Sequence, residues 1–204
     1  MKYPITHTMA QGSESWHLIK LGHASASHFS TVIGKAGSTR SLYMRKLIAE
    51  ILTGEPQESY SNGNMERGLE LEPLAREYYE SMNGCVVKQV GFIEVSENIG
   101  VSPDGLVGED GYLEIKAPLP STHIDYILKD REVASYKAQC QGGLWATGRK
   151  WVDFVSYCPE ITSRPYWAIR VTRDEKYIAE IDIKVNKFVA EMKQLITKIS
   201  GPKF

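Results

Sequence analysis

The residues best suited to chemistry are Asp104, Glu114 and Lys116, which lie within one short stretch of the chain. Glu114 and Lys116 flank Ile115, and side chains alternate between the two faces of a strand. A strand therefore places Glu114 and Lys116 on one face and Ile115 on the other. The segment Gly108-Glu109-Asp110-Gly111 stands between two apolar runs and predicts a turn. A tight turn brings Asp104 beside the other two charges.

Two carboxylates and an ammonium group at one point are suited to phosphoryl chemistry. Carboxylates are hard oxygen ligands that favour Mg²⁺, with Mn²⁺ as an alternative. A lysine beside a metal-bound water can orient it, help to deprotonate it, or stabilise charge at a phosphoryl centre. The alternative is a hairpin with a solvated charged face, since such short patterns often arise by chance. Two features count against that alternative: the charged residues interrupt an otherwise apolar strand, and Pro118 ends the strand just after Lys116.

Several other elements must position these residues. A helix around 65–82 carries Glu66, Glu70 and Glu72, and one of them is predicted to reach the metal site. The alternative is that these acids only complement the helix dipole. Apolar periodicity and start and stop signals give the other elements. The predicted helices cover 41–53, 131–147 and a long segment from an Asp174 cap to about 198, and the predicted strands include 86–95, 112–117, 151–157 and 166–171.

A second cluster of polar residues is suited to binding a phosphate. Ser27 is predicted to cap a helix, and free N–H groups at a helix start together with Lys20 would hold an anion. The alternative is an ordinary cap beside a surface lysine. In the 131–147 helix, Tyr136 and Gln139 share a face. Gln139 is neutral, so it can bond a nucleotide or a metal-bound water, or it is simply a structural amide.

Length and composition favour one domain over residues 1–204. The formal net charge of −1 gives no general attraction to a polyanion, so a nucleic-acid partner must bind a local patch. The three cysteines are scattered without metal-ligand spacing, which fits a reducing cytoplasm. No apolar signal-peptide region is evident at the start, and no apolar run approaches the roughly 18 residues of a membrane span.

The pattern Pro103-Asp104 with Glu114-Ile115-Lys116 resembles the PD-(D/E)xK nuclease motif. Further segments, in order over roughly residues 12–180, resemble the phage lambda exonuclease family. They are Ser15-Trp16-His17 with Lys20-Leu21-Gly22, Ala24-Ser25-Ala26-Ser27, Gly68 with Glu72 and Ala75-Arg76, Ser102 to Leu106, Leu113 to Lys116, Tyr136 with Gln139, Gln141 and Trp145, and Arg173 to Tyr177. The resemblance implies an α/β fold with a restriction-endonuclease-like core, in which helices flank a mixed central β-sheet.

The resemblance also implies roles for individual residues. Lys20 and Ser27 match residues that hold the 5′-phosphate of a DNA end. Lys20 stands where lambda exonuclease has an arginine. A lysine cannot make the bidentate hydrogen bonds that a guanidinium group donates to a phosphate. The remaining implied roles are metal binding for Asp104, Glu114 and the Ile115 carbonyl, catalysis for Lys116, Glu72 and Gln139, and candidate DNA contacts for Trp16, Ser102, Tyr136 and Gln141.

The family implies a Mg²⁺-dependent 5′→3′ exonuclease that degrades one strand of linear double-stranded DNA to 5′-mononucleotides. It further implies phage-type recombination, a ring-shaped homotrimer and a single-strand annealing partner. The long C-terminal helix and the loop at 55–64 are the candidate trimer contacts. Two alternatives stay open. One is an endonuclease or end-trimming nuclease without 5′-phosphate dependence, and the other is a DNA-binding module.

Overall fold

The computed structural model describes residues 4–57 and 63–201, and it has an α/β architecture of two mixed sheets flanked by helices. This confirms the predicted fold class, although two sheets replace the single central sheet. The strands are β1 (Ile5–His7), β2 (Ala24–Ser25), β3 (Val87–Lys88), β4 (Phe92–Ser96), β5 (Ile99–Val101), β6 (Gly105–Val107), β7 (Gly111–Lys116), β8 (Trp151–Tyr157) and β9 (Tyr166–Thr172). The helices are α1 (Glu14–Ile19), α2 (Phe29–Ile33), α3 (Ser38–Thr53), α4 (Gly63–Asn83), α5 (Pro120–Lys129), α6 (Lys137–Thr147) and α7 (Glu175–Ser200).

The larger sheet has the strand order β3-β6-β7-β8-β9 and contains the predicted hairpin. Strands β6 and β7 pair antiparallel, with Gly105 opposite Leu113 and Val107 opposite Gly111. Strand β7 then pairs parallel with β8. A parallel pair needs a long crossover, and helices α5 and α6 supply it. The hairpin therefore lies inside the sheet, with a strand on each side of β7.

The two faces of β7 contact different parts of the molecule, as the alternation of its side chains requires. Leu113 and Ile115 pack with Ala75 and Tyr79 of α4 in one buried cluster. Tyr112 points to the opposite face and belongs to the larger core. Its hydroxyl donates a hydrogen bond of 2.8 Å to the Cys140 carbonyl of α6. Glu114 and Lys116 lie on the Tyr112 face, beneath α6.

The smaller sheet has the order β1-β4-β5-β2 and attaches the N-terminal segment to the rest of the chain. Its strand β2 has only two residues and pairs parallel with β5, Ala24 opposite Ile99 and Ser25 opposite Gly100. Directly after β2, a 3-10 turn (Ala26–His28) packs against α6. The segment that carries the predicted phosphate residues is thus fixed against the helix that lies over β7.

Helix α7 confirms the expectation of a long apolar stripe. The Asp174 side chain accepts the Tyr177 N–H at 3.1 Å and caps the helix. The stripe packs against α2, α3 and α6. Its buried residues are Ile178, Ile181, Val185, Phe188, Val189 and Met192.

Other helical segments differ from expectation. Helix α5 lies in a segment for which no element is predicted from the sequence, and Pro120 occupies its first turn, where its missing N–H is harmless. The helix predicted over 131–147 begins only at Lys137. Within the predicted trimer loop, 58–62 lie outside the described residues. In 4–57 and 63–201, no helix is long and apolar enough to cross a membrane.

The close approach of α6 to β7 depends on Gly143, and we expect the substitution Gly143→Ala to destabilise the fold. An added Cβ would lie 2.3 Å from the Tyr112 hydroxyl and 2.5 Å from its Cζ, so the buried ring would have to move. Overpacking of this kind costs about 1–3 kcal/mol in the free energy of unfolding. Urea denaturation followed by circular dichroism measures the difference.

Gly68→Ala is the matched control, because Gly68 is also helical and an added Cβ there meets nothing within 4 Å. The control should keep or raise the stability, since alanine favours a helix over glycine by about 1 kcal/mol. Equal stability changes in the two variants would contradict the packing argument.

Candidate active site

Asp104 is held at the start of β6 by two hydrogen bonds to β7. Its backbone N–H donates to the Leu113 carbonyl at 3.2 Å. Its side-chain Oδ2 accepts the Ile115 N–H at 2.6 Å and so continues the ladder beyond the end of β6. The N–H and C=O of one strand residue point to the same side. The Ile115 carbonyl therefore lies on the Asp104 side of β7.

Glu114 is the centre of a buried hydrogen-bond cluster, and its residue is only 4% exposed. Its Oε1 accepts the Lys116 ammonium at 2.6 Å and the Gln139 amide at 2.5 Å. In the part of the chain that the structure describes, Oε2 of Glu114 accepts no hydrogen bond from the protein. The structure thus brings together three of the predicted site residues and leaves one carboxylate oxygen available.

Glu72 approaches the site from α4, and Arg76 ties it to the hairpin. The Arg76 Nη2 donates to Glu72 Oε1, one helical turn earlier. The Arg76 Nε donates to the Asp104 carbonyl at 3.1 Å. Arg76 is buried, at 9% exposure. No role is predicted for Arg76 from the sequence alone. Its spacing of four residues from Glu72 is the pattern that indicates an ion pair on one helix face.

The acids of the site lie close enough to disturb one another's protonation. Burial raises the pKa of Asp104 well above its usual range, and the charges of Glu114 and Glu72 raise it further. Burial also raises the pKa of Glu72, against the opposing charge of Arg76. Burial alone would lower the pKa of Lys116, but the neighbouring Glu114 and Asp104 carboxylates raise it overall. Lys116 is therefore protonated at neutral pH.

The donor set fits a hard divalent cation. Carboxylates of Asp104 and Glu114 with a backbone carbonyl are the oxygen ligands that Mg²⁺ and Mn²⁺ prefer. The mutual repulsion of the acids would be relieved by a bound cation. Within residues 4–57 and 63–201, no group of three or more histidine, cysteine or acidic side chains is already arranged around a metal position.

The predicted phosphate residues and Glu114 of the hairpin line the same pocket. Its polar lining comprises Lys20, Ser25, Ser27, Ser102, Glu114 and Gln139. Trp16 forms part of the surround, since its indole N–H donates to the Gly91 carbonyl at 2.9 Å and to the Ser102 hydroxyl at 3.2 Å. The Lys20 ammonium lies 3.4 Å from the centre of the Trp16 ring, a cation–π contact.

The prediction that Ser27 caps a helix is wrong. Ser27 lies within the 3-10 turn, and α2 begins only at Phe29 and has five residues. The Ser27 hydroxyl instead lies 3.0 Å from that of Ser25 and 3.1 Å from His28 Nδ1. Side-chain hydroxyls, and not a helix terminus, are the donors that this segment offers.

Two of the predicted DNA contacts, Tyr136 and Gln141, pack against neighbouring elements of the protein. Tyr136 packs against Phe154 with ring centres 5.1 Å apart, and its ring centre lies 5.2 Å from the Lys116 ammonium. Gln141 is 1% exposed, which corrects its assignment as a DNA contact. Its amide donates to the Thr172 carbonyl at 2.9 Å and accepts the Asp174 N–H at 2.8 Å. Gln141 therefore joins α6 to the start of α7.

Comparison with known proteins gives consistent matches. A model of the YqaJ-like viral recombinase domain matches residues 15–150. The crystal structure of an alkaline exonuclease (LHK-Exo) from Laribacter hongkongensis superposes with a TM-score of 0.86 and 39% identity, over 92% of this chain and 96% of that one. The same protein in complex with dAMP gives 0.86 and 40%, with the same coverage.

A phage-related exonuclease from Haemophilus somnus 129PT shares the fold, with a TM-score of 0.72 and 18% identity over 87% of this chain and 96% of that one. A search of curated proteins gave no significant match.

We expect Asp104→Asn to stabilise the metal-free protein at neutral and alkaline pH. The folded-state pKa of Asp104 lies above its unfolded value, so the folded state binds more protons between the two values. Stability therefore falls as pH rises through that window, and the ionised side chain remains destabilising above it. Asparagine removes the charge and its Oδ1 can still accept the Ile115 N–H. Thermal unfolding in EDTA between pH 5 and about 9 measures the effect.

Asp110→Asn is the control, since Asp110 lies in the exposed turn, and its Oδ2 pairs there with Lys150 at 3.0 Å. An exposed pair of this kind contributes about 0–1 kcal/mol. A lower melting temperature for Asp104→Asn than for wild type at pH 8 would contradict the repulsion argument.

Proposed function

Because the chain belongs to the YqaJ-like viral recombinase domain family, we propose that it is a Mg²⁺-dependent 5′→3′ exonuclease acting on linear double-stranded DNA. Family membership confirms the resemblance to the phage lambda exonuclease family that the motifs indicated. The alkaline exonuclease that is 39% identical supports a deoxyribonuclease. The metal, the 5′→3′ polarity and the release of 5′-mononucleotides are the proposed part.

The observation that carries the proposal is the shared pocket. Lys20 and Ser27 line one part of it, while Glu114 and Gln139 line another. A terminal phosphate bound near Lys20 would direct the following phosphodiester toward Glu114. Cleavage there would release mononucleotides. The dAMP complex of the related exonuclease agrees with a mononucleotide as the bound species.

The side chains divide the chemistry between them. Asp104, Glu114 and the Ile115 carbonyl would hold the metal ion, which supplies a Lewis acid that lowers the pKa of bound water and offsets phosphoryl charge. Lys116 is already protonated, so it stabilises negative charge on the phosphoryl oxygens and orients the attacking water. The raised pKa of Glu72 makes its carboxylate a better proton acceptor than an ordinary glutamate, so Glu72 would accept a proton from the attacking water. Gln139 holds Glu114 in position.

The other parts of the proposal concern assembly and biological context. With a formal net charge of −1, long-range attraction cannot keep the chain on DNA between cleavages. Enclosure by a ring of three copies would do so, and such a ring needs two different matching surfaces on each copy. The protein is further proposed to act in phage-type recombination by single-strand annealing, with an annealing protein as its partner.

The central test is Mg²⁺-dependent digestion of linear duplex DNA with a closed circle as the comparison. We expect mononucleotides from the linear substrate only. Lys116→Ala should slow digestion by roughly 10²–10³-fold, since positioned electrostatic groups contribute that much. Lys150→Ala is the matched control, an exposed lysine beside the turn that starts β7, far from Lys116 at its end. Cleavage of the circle would favour the endonuclease alternative, and unchanged turnover in Lys116→Ala would contradict the site assignment.

The end pocket predicts a dependence on the 5′ group. Wild-type protein should digest 5′-phosphorylated duplex faster than 5′-hydroxyl duplex, because Lys20 and the serine hydroxyls have an anion to bind only in the first case. In Lys20→Ala, we expect most of that difference to disappear. Initial rates on matched duplexes that differ only at the 5′ end give the comparison. Equal wild-type rates on both duplexes would favour an end-trimming nuclease without this pocket.

A further inference from the structure

Helix α3 presents a row of three side chains to the segment that forms the end pocket. The Tyr43 ring stacks on His28, with centres 4.3 Å apart and an angle of 5° between planes, and its hydroxyl accepts the Ser25 N–H at 3.3 Å. Two turns along α3, Glu50 Oε2 accepts the Gly22 N–H at 3.0 Å. Lys46 lies three residues after Tyr43 and four before Glu50. Since residues at these spacings share a helix face, Lys46 faces the same segment.

The charges around Lys46 are not balanced. Its ammonium lies 4.0 Å from Glu50 Oε1, at the limit of an ion pair. Glu50 also attracts the Lys20 ammonium, so two cations share one carboxylate that is 8% exposed. Burial lowers the pKa of Lys20 to about 8, and the like charge of Lys46 contributes to the decrease while Glu50 opposes it. The two ammonium groups therefore lie close enough to repel one another.

The third side chain of this cluster is kept uncharged. Burial lowers the pKa of His28 to about 4, and the charges of Lys46 and Lys20 add to that effect. A neutral His28 lies within hydrogen-bond distance of the Ser25 hydroxyl, at 3.2 Å, and of the Ser27 hydroxyl. Lys20, Ser25 and Ser27 line the pocket. Lys46 approaches the same segment from α3, where it shares the Glu50 carboxylate with Lys20.

We propose that Lys46 is a second phosphate-binding residue of this pocket, so that Lys20 and Lys46 together recognise the two negative charges of a terminal phosphate monoester. A phosphodiester within the strand carries one charge and a 5′-hydroxyl end carries none, so a pair of ammonium groups favours the phosphorylated end over both. A bound phosphate also removes the repulsion between the two lysines. The proposal rests on the proposed exonuclease function and names a residue that sets its preference for ends.

The test is the ratio of kcat/KM on 5′-phosphorylated duplex to kcat/KM on the matched 5′-hydroxyl duplex. We expect Lys46→Met to lower this ratio roughly tenfold, because a hydrogen bond to a charged group is lost only with the phosphorylated end. Methionine keeps an unbranched apolar stem of similar length. Most of the decrease should come from a higher KM on the phosphorylated duplex. Lys46→Arg keeps the positive charge and should keep a preference for the phosphorylated end.

Lys150→Met is the matched control, a lysine side chain that is 72% exposed at the turn before β7. Its ratio should equal that of wild type. Inhibition by inorganic phosphate gives a second readout, and its inhibition constant should rise in Lys46→Met but not in Lys150→Met. Should Lys46→Met fold poorly, Lys46→Gln with circular dichroism as a check supplies the same comparison.

The outcomes separate this inference from the function on which it rests. If wild type digests linear duplex and prefers the 5′-phosphate, while Lys46→Met retains the full ratio, the role of Lys46 is refuted and the exonuclease remains. If wild type does not digest linear duplex with Mg²⁺, the proposed function itself is refuted. Equal wild-type rates on the two duplexes refute the end pocket and Lys46 with it.

Discussion

Repulsion between carboxylates is the constraint around which this structure is built. Asp104, Glu114 and Glu72 lie close enough that the charge of Glu114 raises the pKa of the other two, and burial leaves little water to screen their charges. An uncompensated group of this kind would either take up protons or open the fold. Each acid has a positively polarised partner: the Ile115 N–H for Asp104, Arg76 for Glu72, and Lys116 with Gln139 for Glu114.

The partners of the three acids lie at different distances along the chain, so the hairpin depends on α4 and α6 as well as on its own strands. For Asp104 the compensation is local, a backbone N–H of the adjacent strand. For Glu72 it is Arg76, one turn away on the same helix, which also bonds the hairpin backbone. For Glu114 it comes partly from Gln139 on α6. Helix α6 can supply that amide only because Gly143 lets it approach β7 closely. The packing of one helix thus supplies one of the two hydrogen bonds that this carboxylate accepts.

How far the sequence predicted the structure depended on the range of the interactions. The hairpin, its turn and the shared face of Glu114 and Lys116 follow from local periodicity, and the structure has all of them. The path of the N-terminal segment depends on a two-residue parallel pairing of β2 with β5. A strand of two residues is too short for its sequence pattern to identify its partner strand. Helix spacing alone could not show that Gln141 faces inward, and a cap pattern at Ser27 could not show that α2 begins only at Phe29.

Local placement of charge is also how, under the proposed function, a chain with a formal net charge of −1 would select DNA ends. Salt screens charges beyond about 8 Å at physiological ionic strength, so Lys20 and Lys46 would act mainly on groups bound close to them. A broadly basic surface would bind DNA along its whole length and leave the ends with no advantage. Positive charge concentrated at a pocket would give the terminal phosphate an attractive position that the rest of the duplex lacks. The proposed selectivity for ends would then follow from where the charge is placed and not from how much of it the protein carries.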